Sequence, residues 1–442
     1  MQNSLIIALI LCIGIQMGHA AEAQPSVGTK VKTAAVGKAP VAKPVPAKTV
    51  IPAEAETFAA IQKLNGSITL DAKGHIAIVV FKEPVADSVL QPLVELPQLT
   101  RLALYGPEIT NGAVDYLLKM PKLADLETEN TSINDQGVAK LQAMPSLTRL
   151  GLRRSDISDE SLKTVQQMPK LIVLRLLYNS ISNKGLEHIK ANINLRDLDL
   201  RACIQVSDDG LAHLSGLTKM QNLKFKNQSS ITGAGLAHLK GMTVLKELGV
   251  DDTGVTDDGL ENISALKSLE TLHIERNFIT DEGFQNLAPL VKLTKLQARG
   301  VSVSGAGLQH LKGMTNLETL ELAETPLEDE GLKHIGTFKN LERLDLWLTQ
   351  VTDAGLVNLQ SLKNLNWLDV KETQIGDAGV KHLRSLSNLE SLYLDSTKIT
   401  DESVDSLAEL KKLKLLSIKF CDISSEGIAR LQKLLPKTKI EQ

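Results

Sequence analysis

The chain has 442 residues, a formal net charge of -3, and only 3% aromatic against 43% hydrophobic residues. Near-balanced charge excludes an overall electrostatic drive toward nucleic acid. An apolar fraction made mostly of Leu, Ile, Val and Ala suits narrow, repetitive cores, and a fixed-period repeat overrides the two or three domains that length alone would allow, because a solenoid grows by stacking.

At the N-terminus, Leu5 to Ile15 form the apolar run LIIALILCIGI. A run of about 11 residues is too short to span a bilayer core of about 30 Å. Small residues at Gly18 and Ala20, or at Ala21 and Ala23, suit signal-peptidase cleavage, although the preceding MQNS carries no Lys or Arg. Residues 1–20 are therefore expected to be a signal peptide, cleaved after Ala20 or Ala23. No transmembrane segment would remain, and the mature protein would be periplasmic, associated with the cell envelope or extracellular.

Residues 21–53 change composition to Ala, Pro, Val and Lys, including Lys30, Lys32, Lys38, Lys43 and Lys48. Repeated prolines disfavour helix and sheet, so a disordered, extended linker is expected, reaching on the order of 100 Å at about 3.1 Å per residue. It serves either as a solvated spacer or as a basic tether to an anionic envelope surface. Residues 54–84 read as an N-terminal cap: a helix over Glu54–Leu64, then two strands within Ser67–Phe81 around Asp71-Ala72-Lys73-Gly74.

Residues 85–423 hold about fourteen units of roughly 24 residues, and residues 424–442 form a C-terminal cap. Units beginning at Thr256, Thr280, Ser304 and Glu328 share the frame [TS]-D-x-G-L-x-x-L-x-x-L-x-x-L-x-x-L-x-L-x-x-T-x-I. The units from Ser182 and Ser207 carry one extra residue. Within each unit the apolar period changes: L-x-L alternates as in a strand, whereas G-L-x-x-L-x-x-L has helical spacing. The opening hydroxyl can cap a helix, and the Asp after it meets the positive end of the helix dipole. No unit buries its leucines alone. The predicted fold is α/β: a curved, right-handed solenoid with a parallel sheet on the concave face and short helices on the convex face.

This frame resembles the cysteine-containing class of leucine-rich repeats found in F-box substrate receptors. The segment LRDLDLRACIQVSDDGLAHL, Leu195 to Leu214, carries the likeness, with Cys203 at the class's cysteine position. Elsewhere Thr253, Thr325, Thr349, Thr373 and Thr397 replace it. That variation, the leader and the cap SITLDAKGHIAIVVF resemble secreted bacterial proteins of this repeat type. The resemblance covers roughly residues 55–442 and implies the fold, not the partner.

In x-L-x-L-x the x residues face the concave surface. The two tryptophans both occupy such positions on adjacent strands, in the groups Arg343, Asp345, Trp347 and Trp367, Asp369, Lys371; the third strand adds Tyr393 and Asp395. A strand spacing of about 4.8 Å is expected to bring these rings within range of one another or of one ligand. Aromatics flanked by Arg and Asp resemble interaction hot spots; alternatively, the rings cover neighbouring strands. A second, basic column comprises Arg149, Arg153, Arg175, Arg201, Lys224 and Lys226. It suits an acidic partner or phosphate, or equally a set of strand charges paired with Asp197 and Asp199. The expected function is a non-enzymatic, exported scaffold. A protein partner is favoured and envelope polysaccharide is the other candidate; oligomeric state is left open. The alternative is a secreted effector acting as a substrate receptor in another cell.

No cofactor or metal is expected. His188, His213, His238, His310, His334 and His382 share one position on successive outer helices, and neighbouring helices pack about 8–10 Å apart, too far for one zinc. Cys203 and Cys421 share one repeat position about nine units apart, on the order of 40 Å at about 4.8 Å per strand, which excludes a disulfide. Paired carboxylates recur with the repeat and need no catalytic explanation, and a hydrolase site within residues 54–84 would lack a pocket of its own.

Overall fold

The computed structural model describes residues 50–442. The expected signal peptide, residues 1–20, and residues 21–49 of the expected linker lie outside the described residues. Residues 50–53, placed with the linker by composition, are already packed: Val50 packs on the core and Ile51 N–H donates to Gly74 O at 3.1 Å. Helix Ala55–Lys63 follows, then strands Ser67–Leu70 and Ile76–Val80, paired antiparallel. The Glu54 carboxylate is buried and accepts from Ile76 N–H at 2.6 Å, with His75 Nδ1 at 2.9 Å, so it ties the helix start to the hairpin.

From Ile78↔Arg101 onward each strand adds in parallel to its predecessor, ending at Leu416↔Ile440. The sheet holds seventeen strands among the described residues and stays open, ending at Ser67–Leu70 and Lys439–Glu441. Register is locked by the first leucine of each L-x-L. Leu102, Leu126, Leu150 and Leu174 stack one repeat apart and are fully buried, as are their counterparts through Leu416. A slip of one residue would turn this whole column to solvent. The steps Leu198↔Leu223 and Leu223↔Leu248 span 25 residues, where the repeat elsewhere steps by 24. The first of these units pushes Ile204 out to 70% exposure.

The second layer consists of one short helix per unit, such as Asp135–Leu141 or Asp329–Ile335. At most starts the Ser, Thr or Asn side chain accepts an N–H two residues on, as Ser158 does from Glu160. The following Asp does more than meet its own helix dipole: its main partners lie in the next unit. Asp135 accepts Ser158 N–H and Oγ–H at 2.9 and 2.7 Å, and Ser161 N–H and Oγ–H at 3.2 and 2.5 Å. Asp159 with Ser182, Asp257 with Thr280 and Asp329 with Thr352 repeat the pattern. Burial alone would push these acids up. The hydrogen bonds they accept outweigh it and hold Asp135, Asp281 and Asp377 below the usual carboxylate range.

The ladder explains the glycine of D-x-G-L. A Cβ on Gly283 would lie 2.2 Å from Asp257 Oδ1, so the preceding unit's carboxylate occupies that space. Where serine stands instead, at Ser161 and Ser403, its hydroxyl donates to that carboxylate.

Cys203 and Cys421 are both free thiols. Each donates to a carbonyl of the preceding unit: Cys203 Sγ to Leu176 O at 2.9 Å and Cys421 Sγ to Leu394 O at 3.1 Å. Asn179 and Asn277 make the same link with Nδ2, to Leu152 O and Val250 O. Thr325 and its equivalents instead bond a carbonyl three residues back. Burial pushes the Cys203 thiol up to about 12, and reactivity requires thiolate. Iodoacetamide at pH 8 is therefore expected to label Cys421 in the native protein and to spare Cys203 until denaturant is added. Site-resolved mass spectrometry reads this out, and native labelling of Cys203 would contradict its burial.

Candidate functional site

The solvent face of the sheet presents three side-chain columns, from the first, third and fifth residues of each x-L-x-L-x. The observed register aligns Arg343↔Trp367↔Ser391 in the first column and Asp345↔Asp369↔Tyr393 in the third. Trp347, Lys371 and Asp395 follow in the fifth. Trp347 and Trp367 therefore sit at opposite ends of neighbouring strands, and of the rings expected within range of one another or of one ligand, Trp367 and Tyr393 are the pair in direct contact. Trp367 and Tyr393 are diagonal neighbours, with ring centroids 5.2 Å apart and planes tilted by 47°. Trp347 stands apart from that pair, its Nε1–H donating to Glu372 Oε1 at 3.1 Å.

Cations of the chain itself accompany each ring. The Arg343 guanidinium lies 3.3 Å from the Trp367 centroid and that of Arg299 lies 4.7 Å from Trp347. Lys371 Nζ sits between Trp347 and Tyr393, at 5.6 and 5.5 Å. The rings are half-buried. Cation–π contact of this kind is worth about 0.5–1 kcal/mol at exposed sites, so the cluster is pre-organised and its aromatic faces are partly used.

Beneath the rings, the third column carries Glu321↔Asp345↔Asp369 in direct register. Arg343 pairs with Glu321 at 3.3 Å and Lys371 with Asp369 at 3.1 Å. Asp345 accepts Trp347 N–H at 3.1 Å. Burial first, and then the neighbouring Asp369, push the Asp345 carboxyl up to about 6. Burial likewise raises Asp369, against the pull of Lys371. Asp395 accepts Lys419 N–H at 2.9 Å. Burial, reinforced by the stacked like charges, accounts for these shifts without any catalytic role, and the carboxylates form a locus suited to a positive or hydrogen-donating group.

The basic column is not a free basic surface. Arg149 pairs with Asp125 at 3.2 Å, Arg153 with Glu129 at 3.1 Å, and Arg175 with both Glu127 and Asp197 at 2.8 and 2.9 Å. Arg201 pairs with Asp199 at 2.8 Å, Lys224 with Glu247 at 2.8 Å, and Lys226 approaches Asp252 at 3.6 Å. Each of the six cations has a carboxylate within 3.6 Å: Asp197 and Asp199 are among the partners, and Asp125, Glu127, Glu129, Glu247 and Asp252 supply the rest.

Sequence reasoning missed the hollow that this network surrounds, a space of about 600 Å³ lined by Ala103, Tyr105, Glu127, Gly151, Arg153 and Arg175 among others. Its signal was present in the third column, where Val80, Ala103 and Gly151 are small. Glu127 lies across Gly151, whose added Cβ would meet Glu127 Oε2 at 2.1 Å. The six repeat-position histidines lie on the outer helical layer, and no group of three or more potential metal ligands occurs among the described residues. No helix among the described residues is long and apolar enough to cross a membrane.

A family model described as Leucine Rich repeat matches residues 265–288, 313–336 and 385–408. No curated protein matches the chain in sequence. Among solved structures, the chain is similar to an internalin from Listeria monocytogenes, at 22% identity over 87% of this chain and 93% of that one, with a TM-score of 0.56. It is also similar to a leucine-rich-repeat protein from Leptospira interrogans, at 18% identity over 82% of this chain and 100% of that one, with a TM-score of 0.51. At these identities the likeness establishes the fold alone.

Proposed function

Starting from the fact that the chain is a leucine-rich-repeat protein, an open α/β horseshoe, we propose that it is an exported, non-enzymatic scaffold that binds a protein partner on the solvent face of its sheet. The observation that carries this reading is the half-exposed group Trp347, Trp367 and Tyr393, held by Arg343 and Lys371 on a rigid strand array. Trp, Tyr and Arg dominate binding hot spots because they bring large contact area at low entropic cost. Pre-formed cation–π contacts lower that cost further. Asp345, Asp369 and Asp395 supply acceptors beside the rings.

Export rests on the apolar run Leu5–Ile15 and the small residues after it. Sequencing the mature N-terminus tests it: a start at Ala21 or Gln24 agrees, and an intact Met1 does not. Kinship with the cysteine-containing repeat class rests on Leu195 to Leu214. Recovery of the protein inside a second cell type would favour the substrate-receptor role instead.

The Trp347→Ala/Trp367→Ala double variant tests the binding surface. It is expected to keep its melting profile within a few degrees, because both rings lie outside the leucine core, while capture of partner from native extract drops at least about tenfold, as loss of two hot-spot residues implies. Capture at the wild-type level would remove this surface from the function.

A further inference from the structure

We infer that the edge of the solenoid where the chain enters each strand docks on an anionic lipid surface, through lysines that the repeat sets in a row. Between helix and strand, two buried residues flank an outward two-residue turn: Met120 and Leu123 flank Pro121-Lys122, and Leu290 and Leu293 flank Val291-Lys292. Stacking places equivalent turns side by side. Fifteen such turns run from Pro97-Gln98 to Pro436-Lys437, on the order of 70 Å of edge at about 4.8 Å per strand. Their thirty positions hold ten lysines and no Asp, Glu, Arg or aromatic residue, although the whole chain has 52 acids against 49 bases. Lys122, Lys219 and Lys412 donate to the neutral amides of Gln98, Asn194 and Asn388 at 2.9, 2.9 and 2.6 Å. The ion pairs of this edge lie beside the turns, as Lys246 with Glu270 and Lys414 with Glu390, and none among the described residues involves the ten turn lysines. Their charge is therefore left for something outside the chain.

Helix dipoles do not call for this row. In most units the turn begins four or more residues past the helix end, as Pro121 does after Leu117, and the dipole's influence falls off within the last helical turn. The loops at the other edge, leaving the strands, mix both signs, as at Glu324, Lys371 and Glu372. What accompanies the lysines selects the partner. Phosphate forks use Arg, and single-stranded nucleic acid is held by stacked aromatics; the turns contain neither. They contain aliphatic side chains instead: Ile193, Val244 and Val291 are 56%, 44% and 45% exposed. Lysine interspersed with exposed aliphatics is the composition of segments that lie in a bilayer interface, where the ammonium groups meet lipid phosphates and the apolar groups enter the headgroup boundary. A soluble polyanion satisfies the lysines but leaves the aliphatics in water.

The test is co-sedimentation of the intact protein with vesicles of equimolar phosphatidylglycerol and phosphatidylcholine, at low and high NaCl. Vesicles of phosphatidylcholine alone control for insertion of the Leu5–Ile15 run. Binding to the anionic vesicles is expected to be at least about tenfold tighter and to be lost in high salt. Lys267→Glu/Lys292→Glu/Lys339→Glu is expected to weaken it at least about tenfold. Lys140→Glu/Lys163→Glu/Lys333→Glu makes the same change of charge on the outer helices and should cost less than about threefold, because charges beyond a Debye length are screened. Ile193→Ser/Val244→Ser/Val291→Ser should weaken binding about threefold or more without altering its salt dependence. A linker variant with Lys30, Lys32, Lys38, Lys43 and Lys48 changed to Gln should still bind and still respond to the edge substitutions, and Trp347→Ala/Trp367→Ala should bind vesicles normally. The inference is overturned if the anionic vesicles are not preferred, if the outer-helix variant loses as much as the edge variant, or if the linker lysines account for all of the binding. It is overturned in favour of a soluble polyanion if the serine variant, folded by circular dichroism, binds as the wild type does, or if polyphosphate at equal charge strips the protein from the vesicles.

Discussion

Asp135→Ala is expected to lower stability by about 3 kcal/mol, because hydrogen bonds to a charged acceptor contribute about 1.5–3 kcal/mol each and a stranded buried donor adds its own penalty. Asp135 accepts four such bonds from the next repeat, and Ser161, one of the donors, is fully buried. The loss falls on an interface between units. In a solenoid with nearest-neighbour coupling, the repeats on the N-terminal side should then exchange amide hydrogens faster than those beyond Ser182. The pH dependence has a definite sign. The folded-state carboxyl lies below its ordinary value. Its contribution is therefore complete above the unfolded value near 3.9 and is lost as pH falls through the depressed folded value. Denaturant melts should show a constant gap between wild type and variant from about pH 5 to 8 that narrows below about pH 4. A gap under about 1 kcal/mol, the value of a single ordinary hydrogen bond, would mean that the ladder is not a principal inter-repeat tie.

Asp345→Asn has the opposite sign and should stabilise the neutral protein by about 1–2 kcal/mol, given that one pH unit of separation is worth about 1.4 kcal/mol and part of it is screened. Asp345 lies between Glu321 and Asp369; Arg343 is engaged by Glu321, and Lys371 by Asp369. Its carboxyl rises from 3.8 to about 6. The folded state therefore holds the proton more tightly than the unfolded chain, and stability declines as pH rises from the unfolded value through the folded one. Asparagine still accepts Trp347 N–H but carries no charge. The variant should match wild type below about pH 4, gain through pH 4 to 6, and keep its full advantage above that, following proton linkage. Equal stability at pH 4 and pH 7 would show that the stacked carboxylates do not strain this face. The pair of variants also isolates two carboxylate populations: those in the inter-repeat ladder hold the fold together, and those in the third column oppose it beside the proposed partner surface.

Much of the molecule is legible from spacing. The leucine period defines strand, helix and stacking, because a repeat that cannot bury its own apolar residues has one solution: the same contact with its neighbour many times over. The shared position of Cys203 and Cys421 likewise excludes a bridge, since parallel strands hold equivalent residues at a distance proportional to repeat number. Other features have no local signature. In most repeats one residue near the strand's end takes a left-handed backbone, and it is Arg154, Tyr178, Leu348 or Phe420 as readily as a glycine. The surrounding hydrogen bonds impose that conformation, so residue type does not announce it. Nor does the Asp of each unit reveal that its partners lie about one repeat later.

The sequence by itself determined the solenoid, the buried leucine column and the set of side chains on the solvent face, because these depend only on period and alternation. Which of those side chains meet was decided by the tertiary structure. Register put Trp367 against Tyr393 and left Trp347 with Lys371. It set a row of arginines against carboxylates around a hollow beside Ala103, with Glu127 lying across Gly151. Pairing across strands depends on side-chain reach and on what each neighbour has already engaged, and neither is encoded in the spacing of a single repeat.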